Sequence, residues 1–184
     1  MPLFVDAPAL QTERLTLRVP EAADFDAFAD FCADATTMRF LGGTKSRGEA
    51  WRIFTMIAGA WSINGYSYWS VIERETGAWV GRIGPWQPEG WPGTEIAWGL
   101  APAFTGRGYA YEAAAAAMDY AVDVLGWTRI IHTIHPDNTP SIRLAQRLGS
   151  SNGGLVTLPD PLSDFRVDAW GQSAAEWRAR RTPE

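Results

Sequence analysis

Apolar residues alternate with polar ones along some stretches of this chain and recur at helical spacing along others. Residues 15–19 alternate, which predicts a β-strand, and Pro20 ends it. A helix is predicted next, because its apolar residues share one face: Phe25, Phe28, Ala29 and Cys32. Ser46 and Glu49 have the spacing of a capping box and predict the start of a second helix. The chain therefore opens with one strand and two helices.

Three strands and a long helix are predicted in the middle of the chain. Residues 66–73 and 78–86 read as two strands around a turn at 74–77, and residues 95–100 form a third strand. The helix behind them has mostly small residues on its apolar face: Ala110, Ala113, Ala114, Ala117, Met118, Ala121, Val122 and Leu125. Gly126 fits its C-cap. The small side chains predict a close approach of this helix to a sheet.

The rest of the chain combines strands with one more helix. Residues 129–135 form a strand, Thr139 is the expected N-cap, Pro140 takes the first helical position and Gly149 ends the helix. Two further strand candidates follow, at 155–158 and 165–170. This order of elements predicts an α/β (α+β) fold with a mixed sheet and helices packed on it.

Length and composition fit one soluble domain. With 184 residues the chain can bury one sizeable core, so a single domain is predicted over residues 1–184. No apolar run approaches the roughly 18 residues of a membrane span, and the N-terminus shows no secretion signal. The single cysteine, Cys32, excludes an internal disulfide framework. These features predict a cytoplasmic protein without a membrane partner, and the net charge of −5 argues against nucleic acid as a partner.

A glycine turn before the alanine-rich helix is the first candidate for chemistry. Gly106 and Gly108 remove side chains that would block a ligand, and the first amides of the helix favour an anion such as a pyrophosphate. An ordinary turn is the alternative, since glycine is the default turn residue. Two other phosphate motifs are absent: no Gly-Lys-Ser/Thr occurs here, and Tyr111 stands where a dinucleotide fingerprint has its third glycine.

The order and spacing of several segments resemble the GNAT superfamily of acyl-CoA N-acyltransferases, and most of all its ribosomal-protein N-acetyltransferase (RimJ/RimL-like) branch. The segments that carry this resemblance are 13–18 (Glu-Arg-Leu-Thr-Leu-Arg), 95–100 (Glu-Ile-Ala-Trp-Gly-Leu), 106–110 (Gly-Arg-Gly-Tyr-Ala) with Glu112 and Ala113, and 138–142 (Asn-Thr-Pro-Ser-Ile). The resemblance spans about residues 10 to 170. It implies a mostly antiparallel central sheet of about seven strands with helices on both faces.

In this family two central strands splay apart, and acyl-CoA lies in the cleft between them. By resemblance these are the strands at 95–100 and 129–135. Acetyl-CoA is the implied co-substrate, and the resemblance assigns it these residues: Trp98, Gly99 and Leu100 for the pantetheine arm, Thr105, Gly106, Arg107, Gly108, Tyr109 and Ala110 for the pyrophosphate, and Asn138, Ser141 and Arg143 near the second helix. Thr105 departs from the family's usual Gln or Arg, whereas a backbone role for the loop does not depend on that side chain.

The resemblance also implies two catalytic residues. Glu95 corresponds to a glutamate near the acceptor amine that takes its proton directly or through water, and an exposed strand-end glutamate is the alternative. A base role for His132 or His135 is a further alternative. Many relatives use a tyrosine as the acid for the leaving thiol, but Ala145 stands at that position. Ser141, one turn earlier, matches a serine of the ribosomal-protein branch and would donate to the sulfur; a helix first-turn serine is the alternative.

The expected activity is transfer of an acetyl group from acetyl-CoA to a primary amine by direct attack in a ternary complex. The acceptor is either a protein N-terminal α-amine or a small-molecule amine, and a homodimer is compatible with the sequence. A non-catalytic acyl-CoA-binding module is the alternative, because consensus residues are missing. His132 and His135 have no partners at metal-ligand spacing, so no metal is expected.

Overall fold

The computed structural model describes residues 8–181, which fall into two compact units. The first unit ends at Gly84 and also includes Trp98–Ala116, and the second comprises Pro85–Ala97 and the chain from Ala117 onward. The ends of the predicted 1–184 domain, residues 1–7 and 182–184, lie outside the described residues. A single domain therefore stays a prediction.

Six α-helices and eight strands make up the described chain. The helices are α1 (Phe25–Ala33), α2 (Ala35–Met38), α3 (Arg47–Asn64), α4 (Tyr109–Asp123), α5 (Thr139–Leu148) and α6 (Ala174–Arg181), with short 3₁₀ turns at Ala22–Asp24 and Pro102–Phe104. The strands are β1 (Leu10–Gln11), β2 (Leu15–Arg18), β3 (Trp69–Glu73), β4 (Trp79–Trp86), β5 (Glu95–Leu100), β6 (Arg129–Ile134), β7 (Ser151–Val156) and β8 (Val167–Ser173). Within residues 8–181, no helix is long and apolar enough to span a membrane.

The strands form one sheet in the order β1-β2-β3-β4-β5-β6-β8-β7. The registered pairs of β1 with β2, β2 with β3, β3 with β4, β6 with β8 and β7 with β8 are antiparallel, and β5 runs parallel to β6. The predicted mixed, mostly antiparallel fold is confirmed. Eight strands are present instead of about seven, because the two-residue β1 pairs with β2 in a stretch too short to show a pattern.

Aromatic side chains fill the core of the first unit. Phe28 and Phe31 of α1 pack edge-on against Trp79 of β4, at ring-centroid distances of 6.1 and 5.6 Å. Cys32 is buried beside them, as its place on the apolar face of α1 predicted. Ser46 caps α3 and forms the predicted capping box with Glu49. The apolar spacing and the cap thus fix the helices of this unit.

The second unit ends in a helix that the apolar pattern did not predict. Trp177 is the only large apolar residue in α6, and its indole donates to Asp119 at 2.8 Å. Ser173 and Glu176 form a capping box at the start of α6, because the Ser173 N–H donates to the Glu176 carboxylate and the Glu176 N–H donates to the Ser173 hydroxyl. That spacing was the available sequence signal for this helix.

Several predicted boundaries were wrong. Strand β8 runs from Val167 to Ser173 instead of 165–170, and β4 and β6 are each one residue shorter than predicted. Three further differences concern α5, β3 and β7. The N-cap of α5 is Asn138 instead of Thr139, since the Asn138 side-chain oxygen accepts the Ser141 N–H. Strand β3 begins at Trp69 instead of residue 66. Strand β7 begins at Ser151 instead of residue 155: its Ser-Asn-Gly-Gly start has low β propensity, and pairing with β8 supplies the strand.

Candidate active site

The glycine turn of the first unit adopts a backbone that favours glycine. Gly106 has φ +77° and Gly108 has φ +83°, and α4 begins at Tyr109 directly after them. A Cβ on Gly106 would meet no atom within 4 Å, so this side of the turn is open. The amides of the first helical turn lack intrahelical acceptors, which makes the turn a suitable cradle for phosphate oxygens.

Arg14 holds the glycine turn in place through contacts with Arg107 and Tyr109. Its Nη1 donates to the Arg107 carbonyl oxygen at 3.0 Å, and its guanidinium lies 4.5 Å from the centroid of the Tyr109 ring. Glu112 fixes Arg14 in turn, with 2.7 Å between Nε and the carboxylate. A Cβ on Gly108 would lie 3.4 Å from Arg14 Nη2. Glycine is therefore favoured at 108 by its φ angle, and a Cβ there would only just contact Arg14.

The Tyr109 side chain points into the protein. Its hydroxyl donates to the carboxylate of Glu73, and Arg107 Nη1 lies 3.6 Å from the same carboxylate. Hydrogen bonds from Thr76 and Tyr109 hold the pKa of Glu73 below its usual range. Tyr109 can therefore serve a cofactor through its backbone only, whereas the half-exposed Arg107 side chain is also available.

A cavity of about 400 Å³ beside the turn is unsuited to phosphate. Carboxylates dominate the charges around it, and it is lined by Glu13, Arg14, Glu73, Arg74, Glu75 and Tyr109. Because three carboxylates would repel an anion, the open side of Gly106 is the better approach for a pyrophosphate.

The segment Trp98–Leu100 lies tightly against β4 and α1. A Cβ on Gly99 would lie 2.8 Å from the Phe31 ring, and a Cβ on Gly81 would lie 2.3 Å from the Gly99 carbonyl oxygen. Both glycines are therefore required for packing. The nearby Thr105 hydroxyl donates to Pro102 at 2.9 Å, so this side chain closes a local turn.

Glu95 is buried at the start of β5, with 2% of its surface exposed. Its carboxylate accepts hydrogen bonds from the Thr133 N–H at 2.8 Å, from the Thr133 hydroxyl at 2.9 Å and from the Trp91 indole N–H. Trp91 also packs edge-on against Trp86, with 6.5 Å between ring centroids. Glu95 is thus a carboxylate held in a fixed position, and the alternative of an exposed strand-end glutamate does not apply.

Glu95 and His132 interrupt the parallel ladder between β5 and β6. The Ile131 N–H donates to the Thr94 carbonyl oxygen, as in a regular parallel ladder. If this ladder continued, the Thr133 N–H would donate to the Ile96 carbonyl oxygen. Instead the Thr133 N–H donates to the Glu95 side chain, and the Ile96 carbonyl accepts from His132 Nδ1 at 2.6 Å. Two side chains therefore replace backbone pairing at this point of the β5–β6 ladder.

His132 belongs to a buried polar network. Its Nε2 lies 3.1 Å from the Ser150 hydroxyl oxygen. The same oxygen accepts a hydrogen bond from the Gln172 side-chain amide at 3.0 Å. Since Nδ1 faces a carbonyl, Nδ1 carries the proton and Nε2 accepts from Ser150. Burial lowers the pKa of His132 to about 4. The imidazole is therefore neutral at physiological pH and serves as a hydrogen-bonding link.

The start of α5 holds the remaining predicted residues. The Asn138 side-chain oxygen accepts the Ser141 N–H at 3.4 Å, so Asn138 caps the helix. Ser141 is partly exposed in the first turn of the helix, and Arg143 is exposed. Ala145 is fully buried, so the position of the missing tyrosine is filled by core packing.

The predicted residues fall into two groups, one in each unit. The first unit carries Trp98, Gly99, Leu100 and the turn from Thr105 to Ala110, and the second carries Glu95, Asn138, Ser141 and Arg143. In the part of the chain that the structure describes, no group of three or more His, Cys, Asp or Glu residues could hold a metal ion.

Sequence reasoning did not identify Arg14, Glu112, Thr133 or Trp91 as supports of these groups. Arg14 and Glu112 lay within segments that carried the family resemblance, which was the only available signal for them. Thr133 and Trp91 become relevant through the pairing of β5 with β6, and no spacing in the sequence reveals that contact.

Comparison with known proteins identifies the family. The model of the acetyltransferase (GNAT) domain matches residues 14–151. The chain is 32% identical over 151 residues to the uncharacterized N-acetyltransferase p20 of Bacillus licheniformis, covering 80% of this chain and 84% of p20. An acetyltransferase structure from Agrobacterium tumefaciens str. C58 matches with a TM-score of 0.79 and 32% identity, over 94% of this chain and 98% of that one.

A third similarity concerns the fold alone. The structure of a spermidine N-acetyltransferase from Vibrio cholerae, in complex with CoA and spermine, matches with a TM-score of 0.72 at 17% identity, over 91% of this chain and 99% of that one. The family model and the similarity to p20 show the family without this structure. The chain therefore belongs to the GNAT acetyltransferase family and is an acyl-CoA-dependent acetyltransferase.

Proposed function

We propose that this enzyme transfers an acetyl group from acetyl-CoA to a primary amine by direct attack in a ternary complex. The observation that carries the proposal is Glu95, a buried carboxylate that Thr133 and Trp91 hold at the interruption of the β5–β6 ladder. A fixed carboxylate at such a point suits a group that receives a proton during the reaction.

We infer that the open turn at Gly106 and Gly108 binds the pyrophosphate of acetyl-CoA through backbone amides. The two positive φ angles, the open space at Gly106 and the α4 N-terminus support this role. Arg107 is half exposed, and its ion pair with Glu73 at 3.6 Å partly offsets the positive charge that it brings to the turn. At the start of α5, the Asn138 amide nitrogen is the donor proposed for the pantetheine arm.

The proton of the attacking amine is proposed to reach Glu95 through Thr133. Thr133 is partly exposed, whereas Glu95 is 2% exposed, and the Thr133 hydroxyl lies 2.9 Å from the carboxylate. As the amine nitrogen forms its bond to the acetyl carbon, it gives a proton to Thr133 Oγ1, and Thr133 gives its own proton to Glu95. The thioester C–S bond then breaks, and the sulfur leaves as thiolate.

Ser141 is the proposed donor to that thiolate. It lies in the first turn of α5, where the helix dipole also favours negative charge. A thiol pKa of about 8.5, the ordinary cysteine value, means that the leaving group needs only modest help at neutral pH. A serine hydroxyl is then sufficient, which accounts for activity without a tyrosine at position 145.

Two substitutions test the proton path. Glu95→Gln keeps the side-chain shape and removes the base, so turnover is expected to fall roughly 100-fold with little change in acetyl-CoA affinity. Thr133→Val keeps the backbone hydrogen bond and removes the hydroxyl, and a loss of about 10-fold or more is expected in turnover.

Thr94→Val is the matched control for the proton path. Its hydroxyl donates to the Arg129 carbonyl at the same strand pair and does not touch Glu95. It should leave turnover near the wild-type value. Full activity of folded Glu95→Gln from pH 6 to pH 9 would show that Glu95 only holds the strands.

Two classes of primary amine are candidates for the acceptor. The RimJ/RimL-like resemblance favours a protein N-terminal α-amine, and the pKa of an α-amine, near 8, leaves roughly 10% neutral at pH 7 against less than 0.1% for lysine. A small-molecule amine is the second candidate. Thiol release measured with N-terminal peptides and with free amines distinguishes the two.

A further inference from the structure

Arg82 stands in a row of polar residues that crosses three strands of the first unit. In the antiparallel registers Arg18 faces Ser70 and Ser70 faces Arg82, so their side chains lie on one face of the sheet. Arg18 is neutralised by Asp24, with contacts of 2.7 and 2.8 Å. Arg82 has no ion pair with any residue between 8 and 181.

The Arg82 guanidinium is partly buried without a hydrogen-bond acceptor. It lies 4.3 Å from the centroid of the Tyr68 ring, and Tyr68 is 5% exposed. Arg82 Nε is buried and has no hydrogen-bond partner among the described residues. An arginine taken out of water normally gains a carboxylate or carbonyl partner, because an unpaired buried donor is costly. Stacking on Tyr68 holds the guanidinium in place and leaves its donors unused.

A second cation, Lys45, lies near Cys32, as Arg82 does. The Lys45 N–H donates to the carbonyl of Cys32 at 2.8 Å, and Lys45 Nζ donates to the Gly42 carbonyl. Burial raises the pKa of the Cys32 thiol, and the charges of Arg82 and Lys45 oppose that rise, so both cations lie near this thiol. Arg82 and Lys45 therefore place two positive charges near this thiol.

Arg82 is also next to the segment proposed for the pantetheine arm. It follows Gly81, where an added Cβ would lie 2.3 Å from the Gly99 carbonyl oxygen and 2.9 Å from Leu100 Cα. This close approach shows that the backbones of β4 and β5 are adjacent here, so Arg82 lies on the strand beside Trp98–Leu100. The acceptor substrate is the ligand expected there.

We propose that Arg82 binds a carboxylate of the acceptor, which favours the second candidate acceptor, a small amine, in the form of one that also carries a carboxylate group. This inference rests on the proposed acetyl transfer. The planar guanidinium fork, already oriented by Tyr68, matches the two oxygens of a carboxylate. An acceptor that carries only amines, such as a polyamine, would bring positive charge to an unneutralised arginine and is expected to be a poor substrate.

Pairs of amines that differ only in the carboxylate test the assignment. Phenylalanine, β-alanine and γ-aminobutanoate are each compared with the corresponding carboxamide in an acetyl-CoA-dependent thiol-release assay. We expect kcat/KM for at least one acid to exceed that of its amide by at least tenfold. Arg82→Met should remove this preference, because kcat/KM falls at least tenfold more for the acid than for the amide, and Arg82→Lys should restore only part of it.

Arg47→Met is the matched control. Arg47 also stacks on an aromatic ring, 4.6 Å from the Phe25 centroid, but it is exposed and paired with Asp26. This variant should keep the acid preference. An equal loss with acids and amides in Arg82→Met, or a preference of the wild type for amides, would overturn the proposal.

Calorimetry separates this inference from the proposed function. Titrating the same acids and amides into wild type and Arg82→Met needs no turnover. Binding of an acid that weakens at least tenfold in Arg82→Met supports the site even if no acetyl transfer is found. Equal binding of acids and amides by the wild type would overturn the site even in an active enzyme.

Discussion

His132 should make the stability of this enzyme sensitive to mild acid. Its imidazole is 1% exposed, donates from Nδ1 to Ile96 and accepts from Ser150, so a second proton would break the bond to Ser150 in a buried place. The pKa of His132 is about 4 in the folded protein against an ordinary value of 6.5. The unfolded chain therefore takes up this proton first, and stability is lost as the pH falls from about 6.5 towards 4.

The magnitude follows from the two pKa values. Proton linkage for one group shifted from 6.5 to about 4 removes about 2 kcal/mol of unfolding free energy between pH 7.5 and pH 5. Most carboxylates contribute only below that window, because their ordinary pKa values lie near 4. Urea unfolding followed by tryptophan fluorescence at the two pH values measures the loss.

Variants separate His132 from the other acid-sensitive groups. His132→Gln cannot titrate, so it should lose about 2 kcal/mol less than the wild type between pH 7.5 and pH 5, even if it is less stable at both. His135→Gln, at the other histidine, should keep the loss that His132 causes. If wild type and His132→Gln lose the same free energy over this interval, the neutral buried imidazole described here is wrong.

Three further substitutions test the proposed site. Gly108→Val should weaken acetyl-CoA binding at least tenfold by calorimetry, about 1.4 kcal/mol, because a branched side chain is strained at φ +83°. Gly126→Val, at φ +70°, controls for backbone strain. Unchanged affinity in a folded Gly108→Val would remove the turn from the site. Ser141→Ala should slow turnover roughly 10-fold to 100-fold, and the defect should shrink above the pKa of the CoA thiol. A pH-independent loss together with a lower melting temperature would mean that Ser141 is only a helix-start residue. Trp91→Phe removes one donor to Glu95 and should lower kcat more than it changes the KM for acetyl-CoA, whereas equal changes in both would contradict a positioning role.

Most of the fold could be predicted because local signals agreed with the final structure. The strand at 95–100 was predicted with the boundaries it has, and the Ser46 capping box fixed the start of α3. The failures concern elements that depend on distant partners. Strand β7 begins in a run of glycines and exists because β8 pairs with it, and α6 is anchored by the bond from Trp177 to Asp119.

The site could be predicted only in part, for the same physical reason. Glycine at 106 and 108 reports a local backbone requirement, so sequence alone indicates the turn. The environment of Glu95 depends on Thr133, 38 positions away in the chain, and the unpaired charge of Arg82 depends on which residues do not approach it. Such contacts, and the absence of contacts, follow from tertiary packing and leave no periodicity in the sequence.

The central claim is that this chain moves an acetyl group from acetyl-CoA to an amine. The most direct test incubates the purified enzyme with acetyl-CoA and a panel of carboxylate-bearing amines, carboxamides and N-terminal peptides, and measures both free CoA thiol and the acetylated amine by mass spectrometry. We predict equal amounts of thiol and acetylated amine for at least one acceptor, and roughly 100-fold less of both with Glu95→Gln. Tight binding of acetyl-CoA without acetylation of any amine, or thiol release without an acetylated amine, would contradict the claim.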